Sequence, residues 1–204
     1  MSVASHPNPW ISIWLHPKET VRALTQGDPR SRLAWLSFLY GLPMALNFAQ
    51  SYSLIEVLPL WAILCLSAIL SPFIGFLGIC FSSWLLNISG KVIGGQGNFQ
   101  EIRCAVAWSN VPTFFTVLMW VVLFSVFGST ALYRDFAQIP FTGALAGILF
   151  LVFLIESIAA IWGFVILLKG LSEVQKFSVW KALLNVMIPV VAICTALWIV
   201  ARLF

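Results

Sequence analysis

Charged residues are scarce in this 204-residue sequence. Aspartate, glutamate, lysine and arginine together make up 9% of it, whereas hydrophobic residues make up 61%. A soluble globular domain usually carries about 25% charged residues, so the composition excludes that class. The composition is instead typical of an all-α, polytopic integral membrane protein.

Residue patterns that carry catalysis or metal binding are also missing. The four cysteines form no CxxC pair, which disfavours both a zinc site and a disulfide framework. Both histidines, His6 and His16, precede the apolar part of the chain, so that part has none for a Ser–His or Cys–His mechanism. We therefore expect a protein without a metal, a cofactor or an enzymatic activity.

Long stretches without charge predict the membrane spans. A helix needs roughly 20 apolar residues to cross a bilayer, and nearly every residue after Arg32 lies in or beside such a stretch. The predicted spans are 33–53, 57–89, 111–128, 143–168 and 182–201. The second stretch is long enough for one helix or for two short spans. As one helix, it should kink or partly unwind at Pro72.

The distribution of positive charge favours five spans over six. With five spans and a cytosolic amino terminus, only Arg134 and Arg202 of the eleven basic residues lie outside. The nine expected inside are Lys18, Arg22, Arg30, Arg32, Lys91, Arg103, Lys169, Lys176 and Lys181. The positive-inside rule thus predicts an outer carboxyl terminus, in a bacterial cytoplasmic membrane. The cytosolic face should attract anionic headgroups or acidic partners, and not nucleic acid.

The first 30 residues predict a cytosolic or interfacial segment ahead of a membrane domain at 31–204. A capping residue precedes proline three times, which is typical of a helix start. These pairs are Asn8-Pro9, His16-Pro17 and Asp28-Pro29. Gly27 suits the residue just past a helix over 17–26.

This segment should also anchor the protein at the membrane surface. On a helix over 17–26, Lys18 and Arg22 share the polar face, and Val21 lies on the apolar one. Trp10 and Trp14, four residues apart, are expected at headgroup depth. The pattern is typical of an amphipathic interfacial helix pair.

Three stretches resemble the Yip domain family in its short bacterial form: PWISIWLHPKETVRAL, GKVIGGQGNFQEIRCAVAWSNVP and GLSEVQKFSVWKALLNVMIPVV. The likeness covers nearly the whole chain, and its most specific part is the Gly-Gly loop followed by a helix that starts with proline. The resemblance implies five spans, a cytosolic amino terminus and no enzymatic activity.

Eukaryotic members of that family are associated with prenylated Rab-type small GTPases and with vesicle traffic. Those members carry a long cytosolic amino-terminal region and a tyrosine-glycine signature. This sequence has a short segment before its first predicted span, and YGLP at Tyr40–Pro43 is a poor match to the signature. We therefore do not infer small-GTPase binding for this protein from the resemblance.

The glycine-rich loop SGKVIGGQGNFQE has two interpretations besides nucleotide binding. No Lys-Ser/Thr follows its glycines, which disfavours a phosphate loop. The glycines suit a tight exit from a helix, since they adopt positive φ angles. The loop is also a candidate cytosolic docking surface for a partner or a headgroup. The candidate residues are Lys91, Gly94, Gly95, Gly97, Arg103, Asn110 and Pro112.

Glu156 is the only charged residue between 136 and 168, close to the middle of the fourth predicted span. A charged acid at the bilayer centre costs about 2.5–3.5 kcal/mol on insertion scales. Its candidate intramembrane partners are Asn47, Gln50, Asn87 and Asn185. Two interpretations stay open. In the first, Glu156 is a functional site that responds to protons or cations or that binds a headgroup. In the second, it is a neutral acid that is hydrogen-bonded to another helix.

Small residues predict close helix packing. Ala159, Ala160 and Gly163 follow Glu156 at spacings that put them on its face, so that face should meet the bundle. Gly143 and Gly147 form a GxxxG pair at the start of the fourth span, which favours helix packing or dimerisation.

Two functions remain open at this point. One is a non-enzymatic membrane scaffold or adaptor that assembles with another membrane protein or with a second copy of itself. The alternative is a small transporter, channel or lipid-handling protein that uses Glu156 and a broken second helix, since discontinuous helices often mark transport sites.

Overall fold

The computed structural model describes residues 8–30 and 32–203, and within them the chain is helical and forms no strand. The α-helices are α1 (Pro9–Leu15), α2 (Pro17–Gln26), α3 (Leu33–Ser51), α4 (Leu60–Val92), α5 (Phe99–Ser109), α6 (Thr113–Phe127), α7 (Gly143–Val174) and α8 (Val179–Leu203). Short 3₁₀ helices lie at Leu54–Glu56, Gly128–Leu132 and Phe136–Gln138. The all-α prediction is confirmed.

Four stretches of the described chain are long and apolar enough to cross a membrane. They are Leu60–Val92, Phe99–Leu132, Gly143–Val174 and Val179–Arg202. These helices support an integral membrane protein with several spans. Helix α3 is not among them, although it carries no charge, because polar residues such as Asn47 and Gln50 lower its apolar character. The count of five spans stays a prediction.

Helix α4 answers the question raised by the second predicted span. It runs unbroken over 33 residues and contains Pro72, so the expected unwinding does not occur. Proline cannot donate to the carbonyl four residues earlier, which here is that of Ala68. The hydroxyl of Ser71 donates to this oxygen at 2.9 Å. In a membrane, such a side-chain bond replaces the missing backbone bond and lets the helix continue.

Two of the three predicted amino-terminal helix starts are confirmed. Helix α1 begins at Pro9, and the side-chain oxygen of Asn8 accepts a hydrogen bond from the Trp10 amide at 3.2 Å. Helix α2 begins at Pro17 and ends just before Gly27. The third prediction is wrong. Asp28 accepts from the Arg30 amide at 2.9 Å and forms a turn, and the next helix begins only at Leu33.

The chain divides into two compact units. Unit 1 comprises the described residues of Met1–Ser31, Ile79–Ser109 and Val165–Phe204. Unit 2 comprises Arg32–Gly78 and Asn110–Phe164.

In unit 1, the amino-terminal helices pack on a buried helix. Ile13 of α1 and Val21 of α2 are fully buried. Helix α2 lies against α5, and the rings of Trp10 and Trp108 are 5.2 Å apart. Helix α5 is itself buried from Cys104 to Ser109. Apolar burial therefore holds the amino-terminal segment on the rest of its unit.

In unit 2, helices α3 and α4 cross at two glycines. A side chain on Gly41 would collide with the carbonyl of Ser71, and one on Gly75 with the carbonyl of Ser37. Small residues let helix backbones approach closely in a membrane, where packing drives helix association. An apolar cluster that includes Leu46, Trp120, Leu132 and Phe136 joins α3 and α6 to the 3₁₀ segments.

Candidate functional site

A two-point ion pair fixes α2 to the carboxyl-terminal end of α7 in unit 1. Arg22 Nε lies 2.8 Å from Glu173 Oε1, and its second nitrogen lies 3.0 Å from Oε2. Lys176 Nζ lies 2.9 Å from the same carboxylate. Hydrogen bonding to this carboxylate raises the pKa of the Arg22 guanidinium. Bidentate charge-assisted pairs are strong and directional, so α1 and α2 form a fixed surface, here called the N-terminal platform.

The platform carries an apolar groove of about 540 Å³ between its two helices. Ile11 is 67% exposed and Leu15 is 72% exposed at this groove. The complete lining is Pro9, Ile11, Ser12, Leu15, His16, Glu19, Thr20, Ala23, Leu24 and Gly27. Thr20 and Ser12 share a buried hydrogen bond of 2.9 Å that joins α1 to α2. The groove is therefore preformed.

The four residues predicted as interfacial anchors all lie on the platform. Trp10 and Trp14 are half-buried, and Lys18 and Arg22 are exposed. Within α2, Lys18 and Arg22 lie opposite the buried Pro17 and Val21, as the amphipathic pattern predicts.

The glycine-rich loop closes around Gln175, which sequence reasoning did not single out. The Gly97 amide donates to Gln175 Oε1 at 3.2 Å, and the Gln96 amide donates to the Gln175 carbonyl at 3.2 Å. A side chain on Gly90 or Gly95 would collide with the Gln175 amide group. The loop thus holds a buried side chain of its own chain where a phosphate loop would hold a ligand.

The other predicted docking residues are spread over several elements. Lys91 is exposed in the last turn of α4. Gly94 has a φ of +85°, and a side chain there would meet no atom within 4 Å. Arg103 belongs to α5 and is half-buried. Asn110 and Pro112 lie in the turn before α6, where Pro112 is buried. This stretch is therefore a short loop, a helix and a turn, and exposure is greatest near Lys91 and Gly94.

Unit 2 contains a cavity of about 300 Å³ lined by three of the predicted intramembrane polar residues. They are Asn47 and Gln50 of α3 and Glu156 of α7. Gln50 Nε2 donates to the Ala131 carbonyl at 2.8 Å. Within the described chain, Glu156 makes no hydrogen bond or ion pair. The remaining lining is Trp120, Leu123, Phe136, Ala137, Leu149, Val152 and Phe153.

Asn87 and Asn185, the other two predicted partners of Glu156, belong to unit 1 and do not line this cavity. Asn185 is fully buried, and its carbonyl accepts from the hydroxyl of Ser89 at 2.9 Å. Asn87 is half-buried. No group of three or more His, Cys, Asp or Glu side chains in the described chain comes together as a metal site requires.

The small residues of α7 differ in their surroundings. Ala159 is buried, Gly163 is half-buried and Ala160 is exposed. Gly143 and Gly147 are exposed, and a side chain at either would meet nothing within 4 Å. The GxxxG pair therefore makes no close helix contact in the described chain.

Sequence reasoning missed Glu173 and Gln175, which organise unit 1, and the Gly41–Gly75 crossing of unit 2. Glu173 did leave a signal, since it is one of only seven acidic residues and stands among lysines at the end of an apolar stretch. Gln175 and the two glycines left none, because their importance depends on partners far away in sequence.

Comparison with known proteins places the chain in a family. No curated protein and no solved structure matches it. The family model for the Yip1 domain matches residues 11–201, which includes most of the N-terminal platform and every helix from α2 to α7. The chain belongs to the Yip1 domain family.

Proposed function

We propose that this protein is a non-enzymatic membrane adaptor that docks another membrane protein on its N-terminal platform. The observation that supports it is the attachment of the platform by the Arg22–Glu173 ion pair. A surface that is already ordered loses less conformational entropy when a partner binds.

The character of the platform suggests the kind of partner. Ile11 and Leu15 expose apolar area at the groove, and large exposed apolar patches commonly mark interaction sites. Lys18 is exposed on α2 and forms no ion pair within the described chain. The best match is a segment next to a membrane span that presents apolar side chains to the groove and an acidic side chain to Lys18, which lies outside the groove lining.

The proposal includes a five-span topology with the amino terminus in the cytosol of a bacterial cell. Helix α3 would be the fifth span. Its 19 residues extend about 28 Å at 1.5 Å per residue, close to the 30 Å of a bilayer core. The polar side chains that lower its apolar character, Asn47 and Gln50, line the cavity of unit 2. Gln50 is half-buried there and donates to the Ala131 carbonyl, which lowers its cost of membrane insertion, whereas Asn47 is exposed at the cavity.

Photo-crosslinking in native membranes tests the adaptor function. A photoreactive amino acid would replace Ile11 or Leu15 in the groove, and Gln26, which is exposed on α2 outside the groove, would serve as the control. We expect a protein adduct from the two groove positions and not from Gln26, with the partner identified by mass spectrometry. Adducts only with lipid, or equal adducts from all three positions, would overturn the proposal.

A second candidate function is the binding of a lipid or solute in the cavity of unit 2. It is favoured by Glu156, which lines the cavity without a partner in the described chain. The unbroken α4 removes the argument for transport that a discontinuous helix would supply. Flux into sealed liposomes that Glu156→Gln abolishes would extend this function to transport.

A further inference from the structure

We propose that the cavity of unit 2 binds an ammonium group carried on an apolar stem. The inference rests on the second candidate function and names its ligand chemistry. It depends on three features of the cavity: an unpaired acidic side chain, an aromatic lining and a small volume.

The first feature is Glu156. An ionised carboxylate inside a membrane protein carries a desolvation cost unless a cation or hydrogen-bond donors compensate it. The side chains of Asn47 and Gln50 are neutral amides, so neither can supply the compensating charge, and the Gln50 nitrogen donates one of its two hydrogens to the Ala131 carbonyl. Among the residues that line the cavity, none is a lysine or an arginine. The complementary charge would therefore come from a ligand.

The second feature is the aromatic lining. Trp120, Phe136 and Phe153 belong to three different elements and all line the cavity. Aromatic rings attract ammonium ions through their quadrupoles, and the attraction grows when the site is desolvated. An ionised carboxylate repels a phosphate and attracts a cation, and the rings add to that attraction, so this lining recognises an ammonium better than an anionic group.

The third feature is size. At about 300 Å³, the cavity is at the lower end of the range for ligand pockets. It suits a headgroup or a small amine rather than a whole lipid. The apolar residues Leu123, Leu149 and Val152 would contact the stem. Two sources offer this chemistry, an aminolipid headgroup and a free amine.

The lipid source is tested with the full chain in nanodiscs. Discs of phosphatidylethanolamine or phosphatidylcholine would be compared with discs of phosphatidylglycerol, and lipid retained after gentle release would be counted by native mass spectrometry. We expect Glu156→Gln to lower retention of the two ammonium lipids at least tenfold. Glu56→Gln is the matched control, because Glu56 is an exposed acid of the same unit outside the cavity.

A ring-deletion pair keeps the test informative if Glu156→Gln fails to fold. Phe153 lines the cavity and is 68% exposed, so Phe153→Leu should leave folding intact and weaken ammonium binding several-fold. Phe150→Leu is its control, since Phe150 is similarly exposed on the same helix but does not line the cavity. Isothermal titration calorimetry with tetramethylammonium, a free ammonium ion, tests the second source with the same variants.

The outcomes distinguish the ammonium assignment from the presence of any ligand in the cavity. Loss of an ammonium lipid or of tetramethylammonium in the cavity variants, and not in the controls, supports the inference and identifies the source. Binding of phosphatidylglycerol that Phe153→Leu weakens but Glu156→Gln does not would overturn the ammonium assignment and leave a cavity ligand in place. Binding of no probe, or binding that no cavity variant changes, would overturn both.

Discussion

The guanidinium of Arg22 and the carboxylate of Glu173 meet in a two-point ion pair, although 151 residues separate them in the sequence. The carboxylate is largely buried, with 11% of its side chain exposed, and the arginine side chain is 54% exposed. Lys176 contacts the same carboxylate. Glu173 is therefore the point at which α2 is attached to the end of α7.

Neutralising Glu173 should loosen the N-terminal platform. Glu173→Gln keeps the shape of the side chain but removes its charge, so both ion pairs lose their electrostatic part. We expect amide hydrogen exchange in residues 9–26 to become several-fold faster. Arg22→Lys should give an intermediate effect, because lysine keeps the charge but cannot form the fork. Glu56→Gln, which neutralises an acid of unit 2, is the control and should leave exchange in this segment unchanged. Exchange as slow in Glu173→Gln as in the unmodified protein would contradict the attachment.

The loop around Gln175 predicts a pair of coupled substitutions. Gln175→Ala leaves the Gly97 amide without its acceptor, and a buried group of this kind costs about 1–3 kcal/mol. Gly90→Ala should also destabilise, because its methyl group would displace the Gln175 amide. We expect the double variant to be little worse than Gln175→Ala alone, since both act on one contact. Thermal unfolding in detergent measures all three.

Gly94→Ala is the control for this loop. Its added methyl group would meet nothing within 4 Å, and only the strain of φ +85° remains. Strictly additive effects of Gly90→Ala and Gln175→Ala would contradict the coupling.

The crossing of α3 and α4 should tolerate no side chain at its two glycines. A methyl group on Gly41 or Gly75 would meet a backbone carbonyl of the facing helix, which cannot rotate away. We expect each Gly→Ala change to destabilise the protein by about 3 kcal/mol, as overpacking of a tight contact does. Gly78→Ala is the matched control, because its methyl group would face the movable ring of Tyr40 at 3.0 Å. Equal unfolding temperatures for Gly75→Ala and Gly78→Ala would disprove the crossing.

The number of spans predicts where the termini lie. Five spans put them on opposite sides of the membrane, whereas four spans put them on the same side. We expect a fluorescent reporter that folds only in the cytosol to work at the amino terminus, and a phosphatase that works only outside to be active at the carboxyl terminus. A tag inserted after Glu56, just beyond α3, should react with a membrane-impermeant reagent. Protection of that tag in intact cells would exclude α3 as a span.

Local and compositional features were predictable from the sequence. The scarcity of charge is sufficient to predict a helical membrane protein, because a chain in lipid must satisfy its backbone polar groups internally and a helix does so. The starts of α1 and α2 were predictable at Asn8-Pro9 and His16-Pro17, since proline suits the first helical position. Asn8 also caps α1 with its side chain, whereas His16 forms no side-chain cap bond. The same rule failed at Asp28-Pro29, where the aspartate side chain forms a turn instead.

Features that depend on partners distant in sequence were decided by the tertiary structure alone. The sequence marks Asn47, Gln50, Asn87, Asn185 and Glu156 as polar residues of apolar stretches, but it does not say which of them meet. Folding places Asn47, Gln50 and Glu156 around one cavity and leaves Asn87 and Asn185 in the other unit.

The physical reason lies in the range of the interactions. Hydropathy and capping are properties of neighbouring residues, and they determine that this chain forms apolar helices and where two of them start. Long-range contacts require a specific rotation of each helix about its axis. Examples are the Arg22–Glu173 ion pair, the side chain held in the glycine loop and the crossing at two glycines. That rotation follows from packing over the whole unit, because nearly uniform apolar helices carry little information about which face is buried.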